Sequence, residues 1–384
     1  MITRQLAPLL PQSQKSILLL GPRQTGKSTL IASFGPDLTL NLAHEAIYLD
    51  FARNPMELEE RLASFNTAKP ISVFIDEVQR LPSLLNTIQV LLDKPGNKIR
   101  FILTGSSARK LRRGHANLLP GRIHTFYLGP LVAGELKHQM DVRQALAYGS
   151  LPGIWTDKDP LSKEKTLRSY AGTYLKEEVQ AESLTRNLEG FSRFLNVTAG
   201  WAGHFLDLSK IAAAAQVARQ SAARYFEILE DCLIVHRSEP FTKSLSRRLV
   251  QHPKFYFFDT GVLNGLLENF QPSQDRIGPL FEHLIFTQIL HSASARDHQI
   301  RISSFRTEHG AEVDLIVETG GKLFALELKA SRNVGPSDLT GLKRFTDFYG
   351  KKHRPRVVYL GDHAKKIEGI EILPWQSALQ EMGF

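Results

Sequence analysis

The octapeptide Gly21-Pro-Arg-Gln-Thr-Gly-Lys-Ser28 constrains this chain more than any other stretch. It reads G-x-x-x-x-G-K-S, the spacing of a nucleotide phosphate-binding loop. The apolar run Ile17–Leu20 before it predicts a strand, and a helix is expected from Lys27 to Phe34. In that setting loop N–H groups wrap phosphate oxygens, and the helix start adds its positive dipole end. Gly21, Gln24, Thr25, Gly26, Lys27, Ser28 and Thr29 are the binding candidates. Lys27 would pair with the β- and γ-phosphates, and the Ser28 hydroxyl would ligate Mg²⁺. A loop that merely turns the chain would not need strand, glycines, Lys and Ser in register.

Downstream, Ile71-Ser-Val-Phe-Ile-Asp-Glu77 is an apolar strand ending in two acids. Asp76 would complete the Mg²⁺ shell and Glu77 would polarise an attacking water. ATP and Mg²⁺ are therefore the expected cofactors. Ala46–Asp50 reads as an extra strand between the two motifs, and Pro55–Phe65 as a helix. Arg100-Phe-Ile-Leu-Thr-Gly-Ser-Ser107 is a further strand ending in small hydroxyl residues. A basic loop follows, with Arg109, Lys110, Arg112 and Arg113, then Arg122 and His124 ahead of the strand Ile123–Leu128. Such a loop either contacts phosphates or is a solvated surface.

Length and charge bound the partners. A chain of 384 residues has room for two to four domains. No signal peptide and no long apolar span is visible, so a cytoplasmic protein without a membrane partner is expected. The single cysteine, Cys232, excludes an intramolecular disulfide and a cysteine-based zinc cluster. A net charge of +9 and a pI near 9.5 favour an anionic partner such as nucleic acid.

The ordered set Leu-Leu-Gly-Pro-Arg-Gln-Thr-Gly-Lys-Ser, Phe-Ile-Asp-Glu-Val-Gln-Arg, Phe-Ile-Leu-Thr-Gly-Ser-Ser, Leu-Pro-Gly-Arg and Leu-Gly-Pro-Leu resembles a prokaryotic AAA+ ATPase family. Members of that family carry a C-terminal domain of unknown function. Arg224-Tyr-Phe-Glu-Ile-Leu-Glu-Asp and Pro253-Lys-Phe-Tyr-Phe-Phe-Asp-Thr-Gly261 resemble that domain. The resemblance implies ATP binding and hydrolysis, with Ser106, or Thr104 beside it, sensing the γ-phosphate. It also implies a small helical lid over the nucleotide and assembly as a homo-oligomeric ring, such as a hexamer. Arg122, after Gly121, is then the candidate arginine offered to a neighbour's nucleotide.

The middle of the chain predicts helices broken at Gly149-Ser-Leu-Pro-Gly153, which would supply part of the lid. Leu208–Val217 and Ala222–Glu230, with a tight turn between them, read as a helix-turn-helix. The strand Leu233–Arg237 and a basic hairpin from Lys243 to Lys254 would make it a winged helix. Arg219, Gln220 and Arg224, with Arg247 and Arg248 on the wing, are the nucleic-acid candidates. The same unit could instead pack between subunits.

The second constellation lies between Val313 and Lys329. Two strands meet at Gly320-Gly321, a favoured two-residue hairpin turn. If those residues form it, position i pairs with 641 − i, and Asp314 lies opposite Glu327, with Lys329 two residues on. Val313, Leu315, Val317, Phe324, Leu326 and Leu328 would form the other, apolar face. Asp…Glu-x-Lys on a hairpin is the signature of restriction-endonuclease-like (PD-(D/E)XK) nucleases. There Asp314 and Glu327 would hold Mg²⁺, Lys329 would be catalytic, and Glu282 on an upstream helix would add a carboxylate. The helix Leu339–Tyr349 and the strand Arg356–Leu360 would complete an αβββαβ core. Lys343, Arg344, Lys351, Lys352, Arg354 and Arg356 would suit a DNA backbone or be ordinary surface charge.

The expected fold is thus α/β. A P-loop AAA+ ATPase core with a parallel sheet (1–135) and a helical lid (136–185) come first. A winged-helix domain (186–255) and a restriction-endonuclease-like α/β domain (256–384) follow. Two functions fit: an oligomeric ATPase acting on DNA in repair, branched-DNA processing or defence, or a nucleotide-dependent switch or scaffold that binds protein partners.

Overall fold

Strands β1 (Ser16–Leu20), β2 (Leu38–Asn41), β3 (Ile71–Asp76), β4 (Ile99–Gly105) and β5 (Ile123–Tyr127) form an all-parallel sheet in the order β2-β3-β4-β1-β5. This is a computed structural model, and it describes residues 2–65, 69–107, 119–174, 187–242, 252–308 and 310–384. β1 is buried along its whole length, as expected of a central parallel strand covered on both faces. Its side chains alternate between two cores. Leu18 and Leu20 meet Leu58, Leu85 and Ile88 on one side, while Ile17 and Leu19 meet Leu6, Leu10 and Ile31 on the other. Full burial of each such side chain contributes about 1.5–3 kcal/mol.

One expected strand is a helix. Ala46–Asp50 lies inside the helix Glu45–Arg53, and the strand between the motifs is β2. Ile47 and Phe51 sit four residues apart and turn one stripe of this helix onto the core. Glu45 in the first turn and Arg53 in the last turn suit the helix dipole. The apolar run read as a strand is the covered side of an amphipathic helix.

A second sheet has eight strands, in the order β12-β13-β11-β10-β9-β8-β6-β7. They are β6 (Val235–Pro240), β7 (Lys254–Phe257), β8 (Ile300–Arg306), β9 (Glu312–Thr319), β10 (Lys322–Lys329), β11 (Arg354–Tyr359), β12 (Lys365–Ile367) and β13 (Ile370–Pro374). The helix Ile277–Ala295 precedes β8, and the helix Thr340–Tyr349 links β10 to β11. Gly320 and Gly321 both have positive φ, 53° and 72°, as a type I′ turn requires. The ladder runs from Lys322–Thr319 to Leu326–Leu315, each pair summing to 641. Past it, the Asp314 carboxylate accepts the Leu328 N–H at 2.8 Å.

The hairpin has no purely apolar face set against a purely polar one. Leu315, Val317, Phe324, Leu326 and Leu328 join the core that includes the helix Ile277–Ala295. Val313, Ile316, Leu323 and Ala325 join a second core with Leu342 and Phe345. Asp314 and Glu327 therefore lie at one end of a hairpin covered on both sides.

Three helices, Leu188–Gly200, Leu208–Ala214 and Arg219–Asp231, lead into the antiparallel pair β6–β7, and Phe205 bridges to Lys254. β6 also pairs in parallel with β8 through Glu239 and Pro240, so this pair belongs to the eight-stranded sheet. A boundary at 255/256 therefore falls inside β7. The segment after the first sheet is not a separate cap either. Ala145, Leu146, Leu167 and Tyr170 share one core with Phe226, Phe257, Leu263 and Phe286.

Candidate functional site: the phosphate loop and an acidic cavity

Because the first sheet is parallel, β1, β3 and β4 end on the same side, and their following residues converge there. The loop Gly21–Ser28 leaves β1 and enters the helix Lys27–Ala32. Gly26 has φ 90° and Gln24 φ 61°, the left-handed turns that aim successive N–H groups into one concavity. Gly21 has no room for a side chain: a Cβ there would stand 2.1 Å from the Leu128 carbonyl oxygen. Lys27 is buried, and its Nζ donates to the carbonyls of Gly21 at 2.7 Å and Pro22 at 2.9 Å. Thr25 Oγ1 donates to the Pro22 carbonyl at 2.8 Å, while Ser28 and Thr29 are exposed in the first helical turn.

Asp76 is buried at the end of β3, and Thr104 Oγ1 donates to it from β4. Glu77 leaves the strand at φ 58°. Its carboxylate accepts from Gln79 Nε2, which also donates to Ser106 Oγ at 2.9 Å. Gly105 is shaped around this amide, since a Cβ there would come within 2.8 Å of Gln79 Oε1. Glu77 and Ser106 are thus joined through Gln79, two residues beyond Glu77 in the stretch Phe-Ile-Asp-Glu-Val-Gln-Arg. Beside Gly26, Thr29 and Leu30 a cavity of about 400 Å³ is walled by Ile2, Leu131 and Pro152. That size suits a small-molecule pocket.

Arg122 lies elsewhere. β5 runs parallel to β1 with Ser16 opposite Ile123 and Leu20 opposite Tyr127, so Arg122 is at the far end of the sheet from the loop. The separation is five strand residues, roughly 16 Å at the usual rise. Its guanidinium grips Asp93 through two bonds of 2.6 and 2.8 Å. It cannot serve the phosphate loop of its own chain. Arg109, Lys110, Arg112 and Arg113 lie outside the described residues, as do Arg247 and Arg248.

Glu282, Asp314, Glu327 and Lys329 line one cavity of about 270 Å³, together with Gly203 and His204. They do not stand there as open metal ligands. Buried Lys254 reaches Glu282 at 2.9 Å and Glu312 at 3.0 Å, and Tyr256 Oη donates to Glu282 at 2.6 Å. Lys329 lies 3.0 Å from Glu327 and 3.5 Å from Asp338. Burial, then the nearby Glu282 and Glu327 charges, pushes the Asp314 carboxyl well above the usual carboxylate range. Burial also raises Glu327, against its hydrogen bond from Lys329. Burial alone would depress Lys254, but Glu282, Glu312 and Asp314 outweigh it and hold its ammonium above the ordinary range. Among the described residues, no three His, Cys, Asp or Glu side chains gather closely enough to hold a metal ion. The expected Mg²⁺ set is not open in this arrangement, because Lys254 occupies Glu282 and Lys329 occupies Glu327. In the sequence Lys254 is legible as the last cation of the expected basic hairpin, just ahead of the apolar run Phe255-Tyr-Phe-Phe258.

A stability prediction follows. Lys254→Met should destabilise the chain by about 3 kcal/mol at neutral pH, because the part-buried carboxylates of Glu282 and Glu312 lose their counter-charge. A carboxyl raised above its unfolded value favours the protonated folded form, so stability is regained as pH falls through the raised value. Urea unfolding should therefore show a larger deficit at about pH 8 than at about pH 5. Equal deficits at both would contradict the assignment.

Of the nucleic-acid candidates, Arg219 and Gln220 are exposed at the start of the helix Arg219–Asp231, and Arg224 is half-buried one turn later. Arg219 Nε donates to Ser209 Oγ at 3.2 Å. Arg356 is not a surface cation: it is buried and paired with Glu371 and Glu381, each at 2.9 Å. No described helix is long and apolar enough to cross a membrane.

Residues 13–137 match the AAA domain family. Residues 139–273 and 277–378 match two domains of unknown function, DUF8612 and DUF4143. Uncharacterised proteins of Mycobacterium bovis and Mycobacterium tuberculosis are each 26% identical over 357 residues, covering 90% of this chain and 77% of theirs. Among solved structures, a signal transduction ATPase with numerous domains from Pyrococcus horikoshii is 11% identical at a TM-score of 0.24. That match covers 77% of this chain and only 47% of the other. A DNA polymerase III gamma subunit-related protein from Thermotoga maritima is 14% identical at a TM-score of 0.20, over 74% of this chain and 97% of the other. The loop geometry and the AAA match together support a P-loop AAA-type domain over residues 13–137.

Proposed function

We propose that this chain binds ATP with Mg²⁺ at the phosphate loop, hydrolyses it, and uses the cycle to engage DNA as a homo-oligomer. The observation that carries the reading is the convergence of Lys27, Asp76, Glu77 and Ser106 at one end of the parallel sheet. Buried Asp76, steadied by Thr104, and the Ser28 hydroxyl are hard oxygen donors of the kind Mg²⁺ takes. They would hold the ion, which when bound neutralises phosphate charge. Lys27 exchanges its two loop carbonyls for phosphate oxygens, and Glu77 orients the water. The apolar cavity beside Gly26 takes the base. Arg122, remote from its own loop, would have to leave Asp93 to reach a neighbouring subunit's nucleotide.

The three helices and the β6–β7 pair supply a winged-helix reading, with Arg219, Gln220 and Arg224 on the DNA side. The order helix, β8, β9, β10, helix, β11 supports a restriction-endonuclease-like reading of the C-terminal region. In this reading the C-terminal region clamps DNA rather than cutting it. The test is duplex binding across a salt series. Binding should weaken linearly in log–log form, and removing Arg219 or Arg224 should each lower the slope by about 1. No binding at low salt would turn the reading to a switch that engages protein partners.

A further inference from the structure

The carbonyls of the phosphate loop are held from outside the motif as well as from within it. Lys27 and Thr25 hold those of Gly21 and Pro22. The Arg23 carbonyl accepts Tyr170 Oη at 3.3 Å, and the Thr25 carbonyl accepts Arg4 Nη1 at 2.5 Å. We infer that Arg4 is a positioning residue for the phosphate loop, assisted by Tyr170. The inference rests on reading the loop as an ATP site.

In a trans peptide the C=O and the following N–H point in opposite directions. Drawing the Thr25 oxygen outward turns the Gly26 N–H inward, and drawing the Arg23 oxygen outward turns the Gln24 N–H inward. Gln24 stands at φ 61°, which is unfavourable for a residue with a Cβ. Some group must hold that peptide, and the Tyr170 hydroxyl is bonded to its carbonyl.

Arg4 is itself fixed. It is buried, its Nη2 donates to the carbonyls of Gly129 at 2.7 Å and Pro130 at 3.3 Å, and its Nε meets Glu135 at 2.9 Å. The Glu135 side chain is wholly buried and also accepts the N–H groups of Gln5 at 2.9 Å and Val132 at 3.2 Å. A planar five-donor fork can hold all these acceptors at once, whereas an ammonium cannot reproduce the fork. Arg4 also borders the cavity beside Gly26, so it ties the cavity wall to the loop backbone.

The rival account makes Arg4–Glu135 a buried ion pair that only staples the N-terminal segment in place. Equilibrium ATP titration with Mg²⁺ on the full chain separates the two, run beside thermal unfolding, with Lys27→Ala as the blank. Arg4→Lys should weaken ATP binding about tenfold and Tyr170→Phe about threefold, the scale of one lost hydrogen bond. Glu135→Gln, which keeps an acceptor oxygen for Arg4 but loses the one that accepts the Val132 N–H, should lower the unfolding midpoint yet hold ATP affinity within about twofold. Arg4→Lys binding like wild type would overturn the inference. So would Glu135→Gln losing as much affinity as Arg4→Lys, since the ion pair alone would then explain both. Tyr170→Phe keeps its ring in the core and remains readable should Arg4→Lys not fold; unchanged affinity there would count against the inference. Wild type binding ATP no more tightly than Lys27→Ala would remove the ATP reading itself, and this inference with it.

Discussion

Lys27→Ala should reduce ATP turnover by at least about a hundredfold, the scale of losing one preorganised charge at a phosphoryl group. The residue is buried and its ammonium already sits in the loop, on the Gly21 and Pro22 carbonyls. Those two bonds stay within the loop, so phosphate oxygens can replace them without moving the backbone. Alanine leaves the loop's N–H groups in place but removes the ammonium that sits on the loop carbonyls. ATP affinity should fall along with turnover. The check is steady-state phosphate release beside nucleotide titration on the same preparation. Turnover within about threefold of wild type would mean that the charge is not used in the transition state.

Glu77→Gln should separate the two quantities that Lys27→Ala lowers together. Amide for carboxylate keeps the shape but removes the base, so hydrolysis should fall by about 10²–10⁴-fold. Binding should survive, because Glu77 stands beyond the loop and makes its contact with Gln79. The amide oxygen that replaces the carboxylate can still accept from Gln79 Nε2, so the Gln79–Ser106 bond at 2.9 Å should persist. Single-turnover kinetics with bound ATP would show a slow chemical step after normal binding. Loss of binding equal to that of Lys27→Ala would contradict the placement of Glu77 outside the loop.

The parts of the molecule that the sequence made legible are those set by local chemistry. Gly26 and Gln24 adopt the left-handed conformations the loop motif asks for. Gly320-Gly321 forms the tight turn, and the hairpin register follows from it without reference to the rest of the chain. What was not legible depends on contacts between distant segments. Ala46–Asp50 has the apolar density of a strand, but the core it meets needs residues four apart, so it is a helix. Lys254 could not be placed among the acids, because Glu282 and Glu312 reach it from other elements. Arg4 is 131 residues from Glu135 in sequence, and nothing around it forms a motif. The continuity of the β6–β7 pair with the eight-stranded sheet rests on only two parallel pairings to β8.

The most direct test of the account is ATP hydrolysis by the full chain, with Lys27→Ala as blank, first without DNA and then with single-stranded, duplex and four-way junction DNA. The account requires Mg²⁺-dependent turnover above the blank, raised by at least one DNA form. Turnover no greater than the blank under every condition would contradict its central claim.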